Sequence, residues 1–256
     1  ERHEGIGAEA TIYLHDENVA ISEPILADST LQERSEVEVE GGARYKGQWI
    51  GSVRHGKGVI IQPDGSQYDG CFAHGQASGP GEFLAVNGNR YEGEWRHNRA
   101  HGEGKYIHND GSTYEGQFRE DEKSGHGVER WSDGCQYEGE FLLGSKHGVG
   151  TYKSSTGAAV YEGQFQSDKM DGKGTYRFAD GRVYHGQWHS GQMHGTGEMQ
   201  WPNGSKYTGG FESNVRQGEG CLAWPDGRVY RGQWRNGKQE KSDEEGGPLA
   251  ETPTQS

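Results

Sequence analysis

Nine tyrosines, at positions 45, 68, 91, 114, 137, 161, 184, 207 and 230 of this 256-residue chain, are separated by 23 residues in seven intervals and by 24 in the eighth. Self-similarity at a fixed period of roughly 20 to 50 residues specifies an array of stacked units, each contacting its neighbours, and excludes an ordinary domain built around one core. The residues around each tyrosine repeat as well. Glycine follows two positions later and Trp or Phe four positions later, giving Tyr45 and Trp49, Tyr68 and Phe72, Tyr91 and Trp95, Tyr114 and Phe118, Tyr137 and Phe141, Tyr161 and Phe165, Tyr184 and Trp188, Tyr207 and Phe211, and Tyr230 and Trp234.

Each of the eight complete units then carries Gly-x-Gly, as at Gly56 and Gly58 or Gly195 and Gly197. An Asp-Gly or Asn-Gly pair follows, from Asp64-Gly65 to Asp226-Gly227, with Thr156-Gly157 the departure. Such pairs are the strongest short-range signal for a two-residue hairpin turn in which both residues take φ > 0. A second turn is expected seven residues after each Tyr, where Gly, Asn or Asp stands in every unit but the first (Gly75, Asn98, Asp121, Gly144, Asp168, Gly191, Asn214, Gly237). The unit therefore reads strand, turn, strand, turn, and a strand's period of two puts Tyr, Gly and Trp/Phe on one face. The glycine between two rings is expected to let an aromatic from a neighbouring strand lie flat across the backbone. The second strand offers that face a large apolar group, such as Ile60, Phe83, Tyr106, Tyr152, Tyr176, Met199 or Leu222, with Glu129 the exception. The fifth unit's extra residue, between Thr156 and Tyr161, predicts a bulge or changed twist near residues 154–160.

Composition supports an aromatic and glycine framework over an aliphatic one. Leu, Ile, Val and Phe number 35 of 256, below the fraction at which a charged chain is usually read as disordered, yet 45 glycines and 27 aromatics (7 Trp, 13 Tyr, 7 Phe) stand against disorder.

The pattern Tyr-x-Gly-x-Trp/Phe, Gly-x-Gly, Asp-Gly over residues 45–237 resembles the MORN repeat family, with eight full copies and a ninth opening strand. The resemblance implies an all-β fold, an elongated single-layer antiparallel sheet of stacked β-hairpins with an aromatic-lined groove, used as a scaffold or docking surface. Spacing leads to the same shape: about 17 strands at about 4.8 Å each make a ribbon roughly 80 Å long. The expected organisation is an acidic N-terminal segment over 1–43, the array over 44–237, and a disordered acidic tail over 238–256. Residues 1–43 hold 11 acids and 2 bases and residues 238–256 hold 5 and 2, so most of the net charge of −13 lies in the ends. Ile12 to Leu31 has aliphatics enough for one strand or short helix that caps the first hairpin, and Ser35 to Gly42 reads as an acidic linker. The opening strand from Tyr230 to Trp234 is expected to leave an unpaired edge, and arrays of the resembling family can associate through their ends, so a homodimer is a candidate assembly.

No catalytic constellation is visible. His55, His101, His147 and His194 recur in alternate units, roughly 19 Å apart along a sheet, too far to share a zinc ion whose ligands lie about 2 Å away. The Gly-x-Gly pairs have no following helix to receive a phosphate. Serines such as Ser66, Ser112 and Ser205 follow turn glycines and read as turn residues. No cofactor is expected. Nucleic acid is disfavoured by the net charge and a pI near 5.4. Three scattered cysteines and no signal segment point to a reducing, cytoplasmic setting, and no run approaches the ~18 apolar residues of a membrane span.

The reading that follows is a non-catalytic scaffold with the sixteen rings from Tyr45 to Phe211 lining a partner-binding groove for a helical or extended protein segment. The resemblance places such arrays on cytoskeletal, flagellar or membrane-associated structures. The alternatives are the targeting arm of an enzyme such as a lipid kinase, with the catalytic part outside this chain, and direct weak contact with anionic lipid or phosphoinositide. Opening on Glu1 rather than Met is compatible with a fragment or processed product.

Overall fold

The computed structural model describes residues 30–240, and these are strand and turn apart from one 3-10 turn at Glu40–Gly42. The chain divides into two compact units, 1–169 and 170–256. The first contains β1 (Gln32–Glu38), β2 (Arg44–Ile50), β3 (Val53–Ile61), β4 (Gln67–Ala73), β5 (Gln76–Leu84), β6 (Arg90–Arg96), β7 (Arg99–Ile107), β8 (Thr113–Arg119), β9 (Glu122–Arg130), β10 (Gln136–Leu142), β11 (Ser145–Lys153) and β12 (Val160–Gln166). The second contains β13 (Lys169–Arg177, its first residue closing the first unit), β14 (Val183–His189), β15 (Gln192–Gln200), β16 (Lys206–Glu212), β17 (Val215–Ala223), β18 (Val229–Arg235) and β19 (Lys238–Gln239). Within each unit the strands pair antiparallel with their sequence neighbours, in register across the glycines: Gly47 faces Gly58, Gly93 faces Gly104, and Gly186 faces Gly197. The fold class is the expected one, an all-β array of antiparallel hairpins with no helical layer among the described residues.

The two turns exchange the roles that the sequence suggests. The primed turn, with both central residues left-handed, is the one after the aromatic: Asn98 has φ 65° behind His97 at 50°, and Asp121 has 71° behind Glu120 at 51°. At the Asp-Gly pairs only the glycine is left-handed, as at Gly65 with φ 96°, and its N–H donates to Gln62 O at 2.9 Å. Asp64 Oδ1 accepts from Ser66 N at 2.8 Å, an Asx turn in which the aspartate side chain substitutes for backbone.

Gly-x-Gly builds a bulge. Gly139 faces Gly150, but the next pair is Glu140 with His147, so Gly148 and Val149 drop out of that ladder and pair instead with Phe165 and Gln164 on the following strand. Gly148 sits at φ 60°, where a side chain is strained, and a Cβ there would also lie 2.7 Å from Glu140 Cδ. The extra residue of the fifth unit makes no further bulge. It lengthens the loop, where Ser154 N donates to Ala159 O rather than to the residue four ahead, and the β11–β12 register runs on unbroken.

Among the described residues nineteen strands replace the expected seventeen, because both ends of the array are extended. Ser35–Glu38, read as linker, belongs to β1, which pairs with β2 from Gln32 against Trp49 to Glu38 against Arg44. The edge of β18, expected bare, is covered over its last residues by β19, with Trp234 facing Gln239 and Arg235 facing Lys238. The disordered tail read from 238 therefore starts too early, since Lys238 and Gln239 are strand. The capping role of residues 12–29 and the tail beyond 240 lie outside the described residues.

Candidate docking surface

The tyrosines lie down on the sheet. Tyr91 folds back along its own strand over the facing pair Gly93 and Gly104, where an added Cβ would meet its Oη at 2.6 and 2.5 Å, and that hydroxyl donates to Glu94 O at 2.9 Å. The ring over the glycine of each Tyr-x-Gly thus comes from its own strand, two residues earlier, and not from a neighbour as expected, while the facing glycine of Gly-x-Gly is covered from the adjacent strand. Seven of the tyrosines, Tyr45, Tyr68, Tyr91, Tyr114, Tyr137, Tyr184 and Tyr207, then stand edge-on between two further rings. Tyr91 meets Trp95 at 5.0 Å and 90° and Phe118 at 5.0 Å and 84°, a geometry that places ring edges on ring faces and is worth about 0.5–1.5 kcal/mol per pair. The same contacts run from Tyr45 with Phe72 to Tyr137 with Phe165 in the first unit, and from Tyr184 with Phe211 to Tyr207 with Trp234 in the second.

These rings are a spine. The eight tyrosines from Tyr45 to Tyr207 are at most 1% exposed, and their partners Trp49, Phe72, Trp95, Phe118, Phe141, Phe165, Trp188 and Phe211 at most 7%. Burial pushes the phenols of Tyr45 and Tyr184 up to about 12 and raises those of Tyr68, Tyr91, Tyr114 and Tyr137 as well. The expected groove, with part of this aromatic area facing solvent, is absent, because a ring lying over glycine covers backbone and is itself covered by the next pair of rings. At the far end Tyr230 is half-buried and donates to Glu240 O at 2.9 Å, while Trp234 is buried under Arg216, 4.1 Å from its centroid.

Hairpins are also stapled through their turns, which the sequence showed only as turn propensity. Asn98 Oδ1 accepts from Ala77 N at 2.7 Å, Asp121 Oδ1 from Ala100 N at 2.7 Å, and Asn214 Oδ1 from Met193 N at 2.8 Å. Where glycine stands instead, Arg54 reaches Gly75 O at 3.0 Å and Arg216 reaches Gly237 O at 2.8 Å. Desolvation raises the Asp121 carboxyl above its ordinary value, against the pull of the Ala100 N–H and Arg99. The folded state therefore holds this proton more tightly than the unfolded state. Its contribution is favourable below the unfolded carboxylate pKa and is lost as pH rises through the folded one. Asp121→Asn keeps the acceptor and the left-handed turn, so urea unfolding is expected to show equal or higher stability at pH 7, by up to about 1 kcal/mol, with a flatter decline between pH 4 and 7. A variant less stable than wild type at pH 7 would show that the charge itself is needed.

The open concavity is on the opposite face. In the first unit a groove of about 680 Å³ runs over the backs of the glycine pairs, with Gly93, Gly104, Gly116 and Gly127 in its floor and Glu92, Glu103, Lys105, Glu115, Gln117, His126 and Arg130 along its sides. A smaller one of about 420 Å³ in the second unit is lined by Thr208, Glu219, Cys221 and Arg231. Among the described residues no group of three or more His, Cys, Asp and Glu is placed to hold a metal, and no helix is long and apolar enough to cross a membrane.

The MORN repeat pattern matches nine consecutive stretches, 45–67, 68–90, 91–113, 114–136, 137–159, 161–181, 184–206, 207–227 and 230–240. No curated protein matches the chain in sequence. Among solved structures, the G-box domain of the microcephaly protein CPAP is 11% identical at a TM-score of 0.41, over 80% of this chain and 99% of that one. The TCP10 domain of Danio rerio CPAP, solved with a STIL peptide, is 14% identical at 0.34, over 80% and 100%. A Staphylococcus aureus virginiamycin B lyase is 10% identical at 0.17, over 82% and 72%. Likenesses at this level carry no argument about function.

Proposed function

The chain belongs to the MORN repeat family, and from that premise we propose that it is a non-catalytic scaffold that docks a partner protein on the polar face of the array. The observation that carries this reading is the division of labour between the faces. The rings are consumed in holding hairpin to hairpin, while the glycine-floored groove on the other side is open and lined by charged and polar side chains outside the ring packing. Within the first unit, a hydrogen-bonded sheet with an open face suits the display of a binding surface, since little ordering entropy is lost on association.

Photo-cross-linking tests the reading. A benzophenone side chain placed at Glu115, on the groove, and another at Leu143, an exposed turn residue, would be compared in lysate from the protein's own cells. A protein adduct formed from position 115 and much weaker from 143 is the expected result. Adducts equally strong from both positions, or recovery of lipid with no protein, would overturn it.

A further inference from the structure

Resting on that reading, we infer that the groove face of the first unit holds a basic helical segment of another protein. The position after each repeat tyrosine points to this face, and in five consecutive repeats it is acidic: Asp69, Glu92, Glu115, Glu138 and Glu162. The fold does not require acids there. The same position holds Lys46, His185, Thr208 and Arg231 in the other repeats of the same array. Three positions after the tyrosine, Gln48 and Gln187 accept the N–H of the bulge residue at 2.8 and 2.7 Å, and Glu140 makes the same bond to Val149 at 3.3 Å. Glutamine serves the architecture, so the charges of Glu94 and Glu140 are surplus as well.

That surplus costs stability. Glu82 and Glu92 stand directly opposite each other in the β5–β6 register, an arrangement of like charge that weakens a sheet. Arg90 bridges the two, at 2.6 Å to Glu82 and 3.2 Å to Glu92, and Lys105 reaches Glu115 at 3.7 Å; with Arg130 also on the groove, its acids Glu92, Glu103 and Glu115 still outnumber its bases Lys105 and Arg130. Cationic side chains laid over the row relieve the repulsion.

The occupant comes from outside the chain. Both termini are themselves acidic, with 11 acids against 2 bases before Arg44 and 5 against 2 after Gly237, and are repelled by this face. Acids on alternate strands repeat about every 9.6 Å, two strand spacings, which matches the rise of roughly 10.5 Å between helix positions i and i+7 on one face.

The probe is a fluorescein-labelled alanine-based helical peptide with lysine at i, i+3, i+7, i+10, i+14 and i+17, titrated against the full chain by anisotropy at physiological salt. Against it stand a Glu92→Gln, Glu103→Gln, Glu115→Gln variant and a control with the same charge change away from the groove, in a turn at Glu120→Gln and at strand ends at Glu122→Gln and Glu212→Gln. Circular dichroism first establishes that both fold as wild type does. We expect binding to weaken at least tenfold in the groove variant and less than twofold in the control. Equal weakening in the two variants, binding unchanged in both, no binding to wild type, or equal binding of the same peptide with glutamate for lysine would overturn the inference. A cross-linked partner that the groove variant still retains at full strength would leave the docking reading standing while this one falls.

Discussion

Gly116→Val is expected to open the array around the fourth repeat, at a cost of at least about 3 kcal/mol, near the upper end for single substitutions. A Cβ at Gly116 would lie 2.5 Å from Gly127 Cα and 2.6 Å from His126 O, both backbone atoms of the facing strand, so no side-chain rotation relieves the clash. The β8–β9 pair must separate. Separation also removes the seat of Tyr114, whose Oη is 3.0 Å from that same Cβ and whose ring fills the space in front of Gly127. Because each hairpin leans on the next through edge-to-face contacts, Tyr91 with Phe118 and Tyr114 with Phe141, loss should spread one repeat in each direction and then fade, as in a one-dimensional array. Hydrogen exchange read by mass spectrometry should therefore lose protection over about residues 91–141 and keep it near residues 45–70. Glu115→Val, one residue away on the exposed face, should stay within about 0.5 kcal/mol of wild type. Melting and exchange unchanged by Gly116→Val would sink the account of glycine as the seat of the tyrosine.

The sequence makes the hairpins and their faces legible because period two and period 23 are both written in residue identity. Direction is not. Tyr-x-Gly states that a ring and a gap share a face, and only the backbone shows that Tyr91 bends along its own strand to fill the gap at Gly93. That one difference inverts the candidate site. Rings taken to line a groove are buried, and the open face is the one whose residues vary from repeat to repeat. The Gly-x-Gly bulge was hidden for a related reason, since its left-handed Gly148 and its closely packed Gly150 are the same letter serving two requirements. The end strands left no hydrophobic trace. Gln32–Glu38 is exposed at every position and pairs because β2 presents an edge. Strand formation there is imposed by the neighbour and not by the segment's own pattern.

The exception that did show in the sequence, Glu129 at a position otherwise held by apolar groups, carries the second large effect. Its side chain is 13% exposed on the ring side of the sheet, with the carboxylate in contact with Lys123 Nζ and 3.6 Å from Lys146 Nζ, which is also 3.0 Å from Asp168. Both ammonium groups sit over rings, Lys123 at 5.2 Å from Tyr114 and Lys146 at 5.1 Å from Trp131. Removing the acid leaves two cations drawn out of water, with Asp168 to compensate only one. Glu129→Met is therefore expected to cost about 3 kcal/mol, at the lower end of the range for breaking a buried pair. The array itself supplies the rescue. Met193 and Met199 hold the equivalents of Lys123 and Glu129 in another hairpin, both buried, so that pair of side chains fits this backbone without charge. Lys123→Met added to Glu129→Met should return stability to within about 1 kcal/mol of wild type, since replacing an ion pair by packed apolar groups is often neutral where breaking it is not. Urea unfolding of the two variants beside Lys123→Met alone completes a double-mutant cycle, and the expected coupling between the sites is at least about 1.5 kcal/mol. A cycle that closes additively would mean that Glu129 is tolerated at this position without being held by its lysines.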